Sequence, residues 1–440
     1  MLKRQLLATV FAVALSVAGT AQTTRQLTIS EMFGLLEHAN RSIRASQTSV
    51  EVAREGVKSA RSQRLPDINA RLSASFIGNA LLMDRDFSEV HGLHSPHLGN
   101  QFVVDAQQTI YAGGAIDAGV RLSELGLQKA ELATDLTRQQ QRLLVLGQYL
   151  DLEKLAHRER VLQSNIDLTE RLIAHIEERH QQGVALKNDI TRYELQMETL
   201  RLNLTKLRNQ RAVISHQLCN ALGIEGDVAL EPTDDVSAMT FSQDGEAHWQ
   251  QSAAVNSLQL RLAAVDERLS GQQERLARSA MLPKVALVAS NDFNGPITFE
   301  LPPINKNLNV WYVGVGVSYP LSSLFKSNKR VRQAQLETRQ ATERKAVAQE
   351  QLNNQMQAAW VAYQQSYVEL ETQQKSVELA RENYEVVNNR YLNQLALVTD
   401  MLDASSMRLD AELAEADARI NIAYAYYKMK YCCPVKLQRA

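Results

Sequence analysis

The chain has 440 residues, 45% of them hydrophobic and 22% charged, and a formal net charge of -1. That balance gives no support to nucleic-acid binding, which calls for a strongly basic surface. Its three cysteines, Cys219 and the adjacent pair Cys432 and Cys433, supply neither a disulfide framework nor a metal-ligand spacing.

Residues 1–21 read as a secretory signal peptide: Lys3 and Arg4 precede an apolar run from Leu6 to Val17, followed by the small residues Ala18, Gly19 and Ala21. The run is too short to span a bilayer as a helix, and no later stretch is longer. The mature chain is expected to begin near Gln22, beyond the inner membrane. No cysteine follows the cleavage site, so no lipid anchor is expected there.

From Pro66 the chain alternates. Ile68, Ala70, Leu72, Ala74 and Phe76 are apolar, while Asp67, Asn69, Arg71, Ser73 and Ser75 lie between them. This is a two-faced strand of bilayer-crossing length. Phe102, Val104, Ala106 and Ile110 form a second apolar face. Trp311, Val313, Val315, Val317 and Tyr319 form another, and Lys284 to Phe293 is the weakest of the four. The same alternation would suit a soluble sheet with one face on a core. The aromatic strand ends Trp311, Tyr312 and Tyr319, with the export signal, favour lipid.

Between Pro96 and Pro232, and again between Pro320 and Pro434, there is no proline, and the second interval has no glycine. Both intervals predict long helices. Leu125, Leu132, Leu136, Leu143, Leu146 and Leu150 recur at coiled-coil spacing, as do Leu200, Leu204, Leu207, Ile214 and Leu218, and Leu402, Leu409, Leu413, Ile420 and Tyr424. The other faces carry Arg, Glu, Gln and Lys, suited to water. A continuous helix from about Ala115 to Gln182 would be ~100 Å long, a rod that reaches across a compartment.

Four strands cannot close a barrel, and an open edge in lipid leaves backbone groups unpaired. Two chains would give eight strands, filled by side chains. Three would give twelve, which begin to leave an aqueous bore.

The order strand, strand, long helix, turn, long helix occurs twice. Ala39-Asn40 answers Val255-Asn256, Leu65-Pro66 answers Leu282-Pro283, and Arg179, Gly183 and Asp189 answer Arg390, Gln394 and Asp400. The expected organisation is a first repeat over 22–222, a Gly-, Pro- and Asp-punctuated equatorial segment over 223–250, a second repeat over 251–431 and a tail over 432–440.

On these features the chain resembles the TolC-like outer-membrane efflux protein family, over nearly its whole mature length. The residues that carry the resemblance are Leu65-Pro66 and Leu282-Pro283 opening strands, Tyr111-Ala112-Gly113-Gly114 and Tyr319-Pro320-Leu321 leaving them, and the helix-tip turns Arg179 to Ala185 and Arg390 to Ala396. The resemblance implies a mixed α and β membrane protein in the outer membrane. Long antiparallel coiled-coil hairpins would form an α-barrel in a homotrimer, and each chain would give four strands to a twelve-stranded β-barrel. It also implies a periplasmic adaptor and an inner-membrane RND or ABC transporter as partners, docking at the tips, here Gly183, Val184, Ala185, Leu395 and Ala396. Asp400 and Asp403, in Thr399-Asp400-Met401-Leu402-Asp403-Ala404, match the family's carboxylate gate. Helix capping is the alternative role for such aspartates. Asp189 and Tyr391 match the entrance latch. Position 396 is alanine where the best-known member has arginine, and Gln394 replaces the glycine of the second tip.

His91, His94 and His97 lie in a loop between the first two strands, without the further ligands that fix a tetrahedral metal site. Tyr424, Tyr426, Tyr427 and Tyr431 are expected to pack. No phosphate-cradling loop, nucleophile elbow or zinc-ligand pair is present, so an enzyme is not expected and no cofactor is implied. Two alternatives remain beside the efflux duct: an outlet for type I protein secretion, and a soluble periplasmic coiled-coil scaffold. The scaffold should lack bilayer-length alternating strands.

Overall fold

The computed structural model describes residues 23–226, 228–242 and 244–432. The expected signal peptide, Cys433 and the tail beyond it lie outside the described residues. In chain order the elements are β1 (Thr23–Leu27), α1 (Ile29–Ala39), α2 (Arg41–Ser62), β2 (Asp67–Phe76), β3 (Ala80–Leu82), β4 (His91–Leu93) and β5 (Leu98–Tyr111). Then come α3 (Ala115–Gln181), α4 (Lys187–Leu222), β6 (Val228–Pro232), a 3-10 turn (Val236–Ala238), α5 (Glu246–Asn256), α6 (Leu258–Ser279), β7 (Lys284–Gly295), β8 (Leu308–Ser318), α7 (Ser323–Leu392) and α8 (Val398–Cys432). None of the described helices is long and apolar enough to cross a membrane. The chain divides into two compact units: one takes in the chain up to Ser46, Thr134–Leu258 and Gln349 onward, the other Gln47–Ala133 and Gln259–Ala348.

The second unit holds a four-stranded antiparallel sheet in the order β2-β5-β7-β8. Its strands are 10, 14, 12 and 11 residues long, the length a tilted strand needs to cross a bilayer. Pairing puts Ile68, Ala106, Ala289 and Val313 in one row, and Leu72, Phe102 and Phe293 in another on the same face. Asn69, Asp105, Ser290 and Tyr312 form a row on the opposite face, where Ser290 Oγ donates to Asp105 Oδ1 at 2.8 Å. The expected apolar and polar faces therefore run across the four strands, with one register shift between Thr109 and Tyr111 where β5 pairs with β7. Apolar side chains stand free along it: Leu72 is 79% exposed, Phe76 82% and Val313 62%. A soluble sheet would bury that face on a core, and among the described residues nothing covers these side chains.

Helices of the same unit follow the order of the strands. Arg61 and Arg64 of α2 pair with Glu124 and Asp117 of α3 at 2.7 and 2.6 Å. Lys129 of α3 pairs with Asp266 of α6 at 2.6 Å, and Glu267 of α6 with Lys345 of α7 at 2.8 Å. The turn from β5 into α3 needs glycine at Gly113. Its φ is +62°, and a Cβ there would meet Leu282 Cβ and Ser279 O at 2.8 Å.

The first unit is built on the expected leucine seams. Leu155, Leu162, Ile166, Leu200, Leu204, Leu207 and Leu409 form one buried cluster. Above it in sequence logic lies a core around Leu27, Met32, Leu36, Tyr149, Leu150, Leu218 and Leu230, closed by the parallel pair β1 and β6. Tyr149 ties these pieces together: its hydroxyl donates to Leu27 O at 3.0 Å and accepts from the N–H groups of Thr233 and Asp234 at 3.2 Å. Glu153, one helical turn on, accepts from Val236 N–H at 3.2 Å. Tyr426 and Tyr427 pack against Phe241, and Tyr426 also against Trp249 and Tyr363. Cys219 is buried, and its thiol donates to Val228 O at 3.7 Å.

The duplication is visible element by element, since α1 and α5 both have 11 residues and α2 and α6 both have 22. It corrects one detail of the sequence pairing. Asn40, which breaks α1 from α2 and accepts the N–H groups of Ser42 and Ile43, corresponds to Ser257 between α5 and α6, not to Asn256. Repeated polar-apolar spacing allows such a one-residue slip, and the helix break resolves it. Within the 223–250 segment, α5 starts at Glu246 and β6 pairs with β1.

Candidate functional site

Both helix tips turn in the same way. At the first, Gly183 N–H donates to His180 O at 2.9 Å and Val184 N–H to Arg179 O at 2.9 Å, with Gly183 at φ 79°. At the second, Gln394 N–H donates to Tyr391 O at 3.0 Å and Leu395 N–H to Arg390 O at 2.8 Å, with Gln394 at φ 64°. The turn survives loss of its glycine, because a left-handed residue is what ends the helix and glutamine tolerates it at a modest cost. Val184, Leu186, Leu395 and Leu397 are exposed at the tips, Leu397 to 70%. Ala185 and Ala396 are half-buried and pack on the cluster described next.

That cluster comprises Ile176, Tyr193, Tyr384, Tyr391, Val398, Met401 and Ala404, all buried, and joins the two hairpins near their turns. Arg179 lies over the Tyr391 ring, 5.4 Å from its centre, and Arg408 over Tyr384 at 4.1 Å. Both stacks are cation–π contacts made where water is excluded, which strengthens them. Burial raises the Tyr391 hydroxyl above its ordinary pKa, the Asp189 carboxylate adds to that, and Arg179 opposes it. Tyr193 is pushed up further by burial, then by Tyr391 and Tyr384. Its hydroxyl and Arg179 Nη1 are both buried without a hydrogen-bond partner.

Sequence reasoning paired Asp189 with Tyr391, and both stand at this cluster, but no hydrogen bond among the described residues joins them. One Asp189 oxygen accepts from Leu186 N–H at 3.2 Å. Asp400 does the same to Leu397 N–H at 3.0 Å, so the capping role is realised there. The Asp400 and Asp403 side chains are exposed. Arg179, Tyr193, Tyr384 and Arg408 were missed by sequence reasoning. The seven-residue interval between Tyr384 and Tyr391 was the one available signal, since it puts both rings on one seam.

In the loop between β2 and β5, His94 and His97 touch edge to face at 5.3 Å, and His97 Nδ1 lies 2.9 Å from Ile77 O. No group of three or more His, Cys, Asp or Glu side chains among the described residues is placed to hold a metal ion.

The profile of the outer membrane efflux protein family matches residues 34–224 and 249–428. The chain belongs to that family. Its fold is similar to the outer-membrane channel OprN, with TM-score 0.76, 17% identity and coverage of 92% of this chain and 89% of that one. It is also similar to the outer membrane protein VceC of Vibrio cholerae, with TM-score 0.73, 14% identity and coverage of 92% and 94%. CusC, whose structures describe folding and transmembrane channel formation, gives TM-score 0.79 at 13% identity, covering 94% of each chain. No curated protein sequence matches significantly. Outer membrane efflux proteins are channels and not enzymes, which agrees with the sheet and hairpins described above and with the absence of catalytic motifs from the sequence.

Proposed function

We propose that the chain is one protomer of a homotrimeric outer-membrane duct, the exit channel of a tripartite efflux pump. One observation carries this reading: a sheet of bilayer-length strands exposes a predominantly apolar face and, among the described residues, leaves the outer edges of β2 and β8 unpaired. Three copies joined edge to edge would satisfy both, with twelve strands around a wet bore. The apolar rows would meet lipid, and Asn69, Asp105, Ser290 and Tyr312 would face the lumen, which leaves Trp311 and Tyr319 but not Tyr312 as lipid-side aromatic ends.

The helical hairpins would extend into the periplasm and narrow to an entrance at the tips. Asp403, exposed near the tip, would contribute to a carboxylate ring there, with Asp400 beside it holding its turn, and such a ring favours cations over anions. Tyr391 and Asp189 would act as the latch, with Arg179 supplying the charge that alanine at position 396 lacks. The exposed apolar tip residues Val184 and Leu395, with Gly183, Ala185 and Ala396, offer a docking rim to a periplasmic adaptor, which would link the duct to an RND or ABC transporter of the inner membrane.

The test is membrane fractionation followed by native mass in detergent. A trimer from the outer membrane supports the duct. A soluble monomer or dimer would overturn it in favour of a periplasmic scaffold.

A further inference from the structure

Where α3 and α6 run side by side, they enclose an open groove of about 560 Å3 lined by Arg121, Leu125, Gln128, Arg268, Gln272 and Arg275. The one carboxylate on its wall, Glu124, is already held by Arg61 at 2.7 Å. Arg268 donates only to a neutral amide, Gln128 Oε1, at 2.9 Å. Arg121 and Arg275 have no ion-pair partner among the described residues. Three exposed arginines thus line one groove whose single carboxylate is already paired with Arg61, and Arg geometry matches the oxygens of a phosphate. The side-chain amide of Gln272 has a buried end without a partner.

A second observation says where such an anion comes from. The first turns of α7 carry Lys326, Lys329, Arg330 and Arg332, all exposed, and no acidic residue. Cations at a helix N-terminus oppose its dipole, and the free N–H groups there themselves favour an anion. Beside this run, Tyr111, Tyr319, Leu321 and Phe325 are exposed where strands give way to helices, Phe325 to 68%. Aromatic and apolar side chains at a strand end mark a membrane–water boundary. Arg121 lies six positions into α3 and Arg275 four positions from the end of α6, within roughly 10 Å of those junctions along the helices.

We propose that the Arg121–Arg268–Arg275 groove binds the phosphate of an anionic phospholipid headgroup in the leaflet facing the helices. The groove lies between the two middle helices of the order α2, α3, α6, α7, away from the chain's edges, so each protomer carries a complete site. The inference rests on the outer-membrane reading above.

The experiment is native mass spectrometry of the full-length protein reconstituted with phosphatidylglycerol or phosphatidylcholine. It compares the native chain with the R121Q/R268Q/R275Q variant and with R85Q as a loop control. Retained phosphatidylglycerol should exceed phosphatidylcholine in the native chain and in R85Q, and fall at least about tenfold in the triple variant. Equal retention in the triple variant, or no preference between the lipids, overturns the proposal. Displacement of the lipid by inorganic phosphate at millimolar concentration would assign the groove to a free anion and overturn the lipid source. Vesicle flotation of the same preparations separates the two readings. Protein that floats without lipid preference leaves the outer-membrane reading standing and removes only this site; protein that fails to float removes both.

Discussion

Asp189 and Asp400 hold the same position in the two helix tips, each closing its turn with a carboxylate oxygen on the backbone N–H three residues earlier, Leu186 at 3.2 Å and Leu397 at 3.0 Å. The two aspartates thus share a structural duty, although family resemblance gives them different roles. Asp403 has no such duty, and its side chain is exposed.

The first prediction separates them. Asp403→Ala should raise anion relative to cation conductance in a planar bilayer without loosening the tip. Asp400→Ala should also lose its cap, at about 1 kcal/mol, seen as faster amide exchange at residues 397–400. Unchanged selectivity in both variants would remove the gate.

Position 394 is strained in a way its counterpart is not. Gln394→Gly should stabilise the second tip by about 1 kcal/mol, and Gly183→Ala should destabilise the first by a similar amount. A Cβ at Gly183 meets nothing within 4 Å, so conformation alone sets the cost. Local amide exchange measures both, and a loss of protection in Gln394→Gly would contradict the assignment.

At the proposed latch, the ring of Tyr391 should matter more than its hydroxyl, since Arg179 stacks on it and Asp189 bonds elsewhere. Tyr391→Phe should leave resting conductance within about twofold, while Arg179→Gln and Tyr391→Ala should raise it. If the Phe variant leaks as much as the Ala variant, the hydroxyl is the latch.

Glu153 should make the stability of the equatorial core pH-dependent. Burial, and to a smaller degree Asp235 and Asp234, raise its pKa from 4.5 to about 7 against the hydrogen bond from Val236 and the charge of Arg160. His157, a turn along the same helix, has its pKa lowered by burial. A raised acid binds its proton more tightly in the folded state. Its favourable contribution is therefore complete below pH 4.5, falls as pH rises through 7, and is gone above that, a change on the order of 1–3 kcal/mol. Glu153→Gln should flatten this dependence between pH 5 and 8 in thermal melts; an unaltered slope would assign it to another group.

On the sheet, Leu72→Asp places a charge on the exposed apolar face and should cut outer-membrane assembly sharply, whereas Ser73→Asp, one residue on and facing the other side, should be tolerated. Cell fractionation compares them, and equal assembly would mean that the apolar face does not meet lipid.

Much of this was legible in the sequence. Alternation at Ile68 to Phe76 fixed a strand and its register because only a side-chain period of two puts Arg71 and Leu72 on opposite faces. β7 read weakly because Val288 sits on the polar face and Asn291 on the apolar one, and pairing on both sides supplies what its own pattern lacks. The long helices were readable from missing prolines. The tip cluster was not: Arg179 meets Tyr391 across the two hairpins, and Arg408 meets Tyr384 across the two arms of one hairpin. Helical periodicity says which residues share a face of one rod and nothing about which rod lies opposite.

The unpaired outer edges of β2 and β8 have a genetic consequence. If each assembly must draw three sound copies to close its ring, a chain damaged at one edge is not merely idle, because it spoils the partners it joins. With half of the chains defective, only about one eighth of randomly assembled trimers would be whole. Edge mutations should therefore act dominantly over a normal copy of the gene, and damage confined to the outer loops should not.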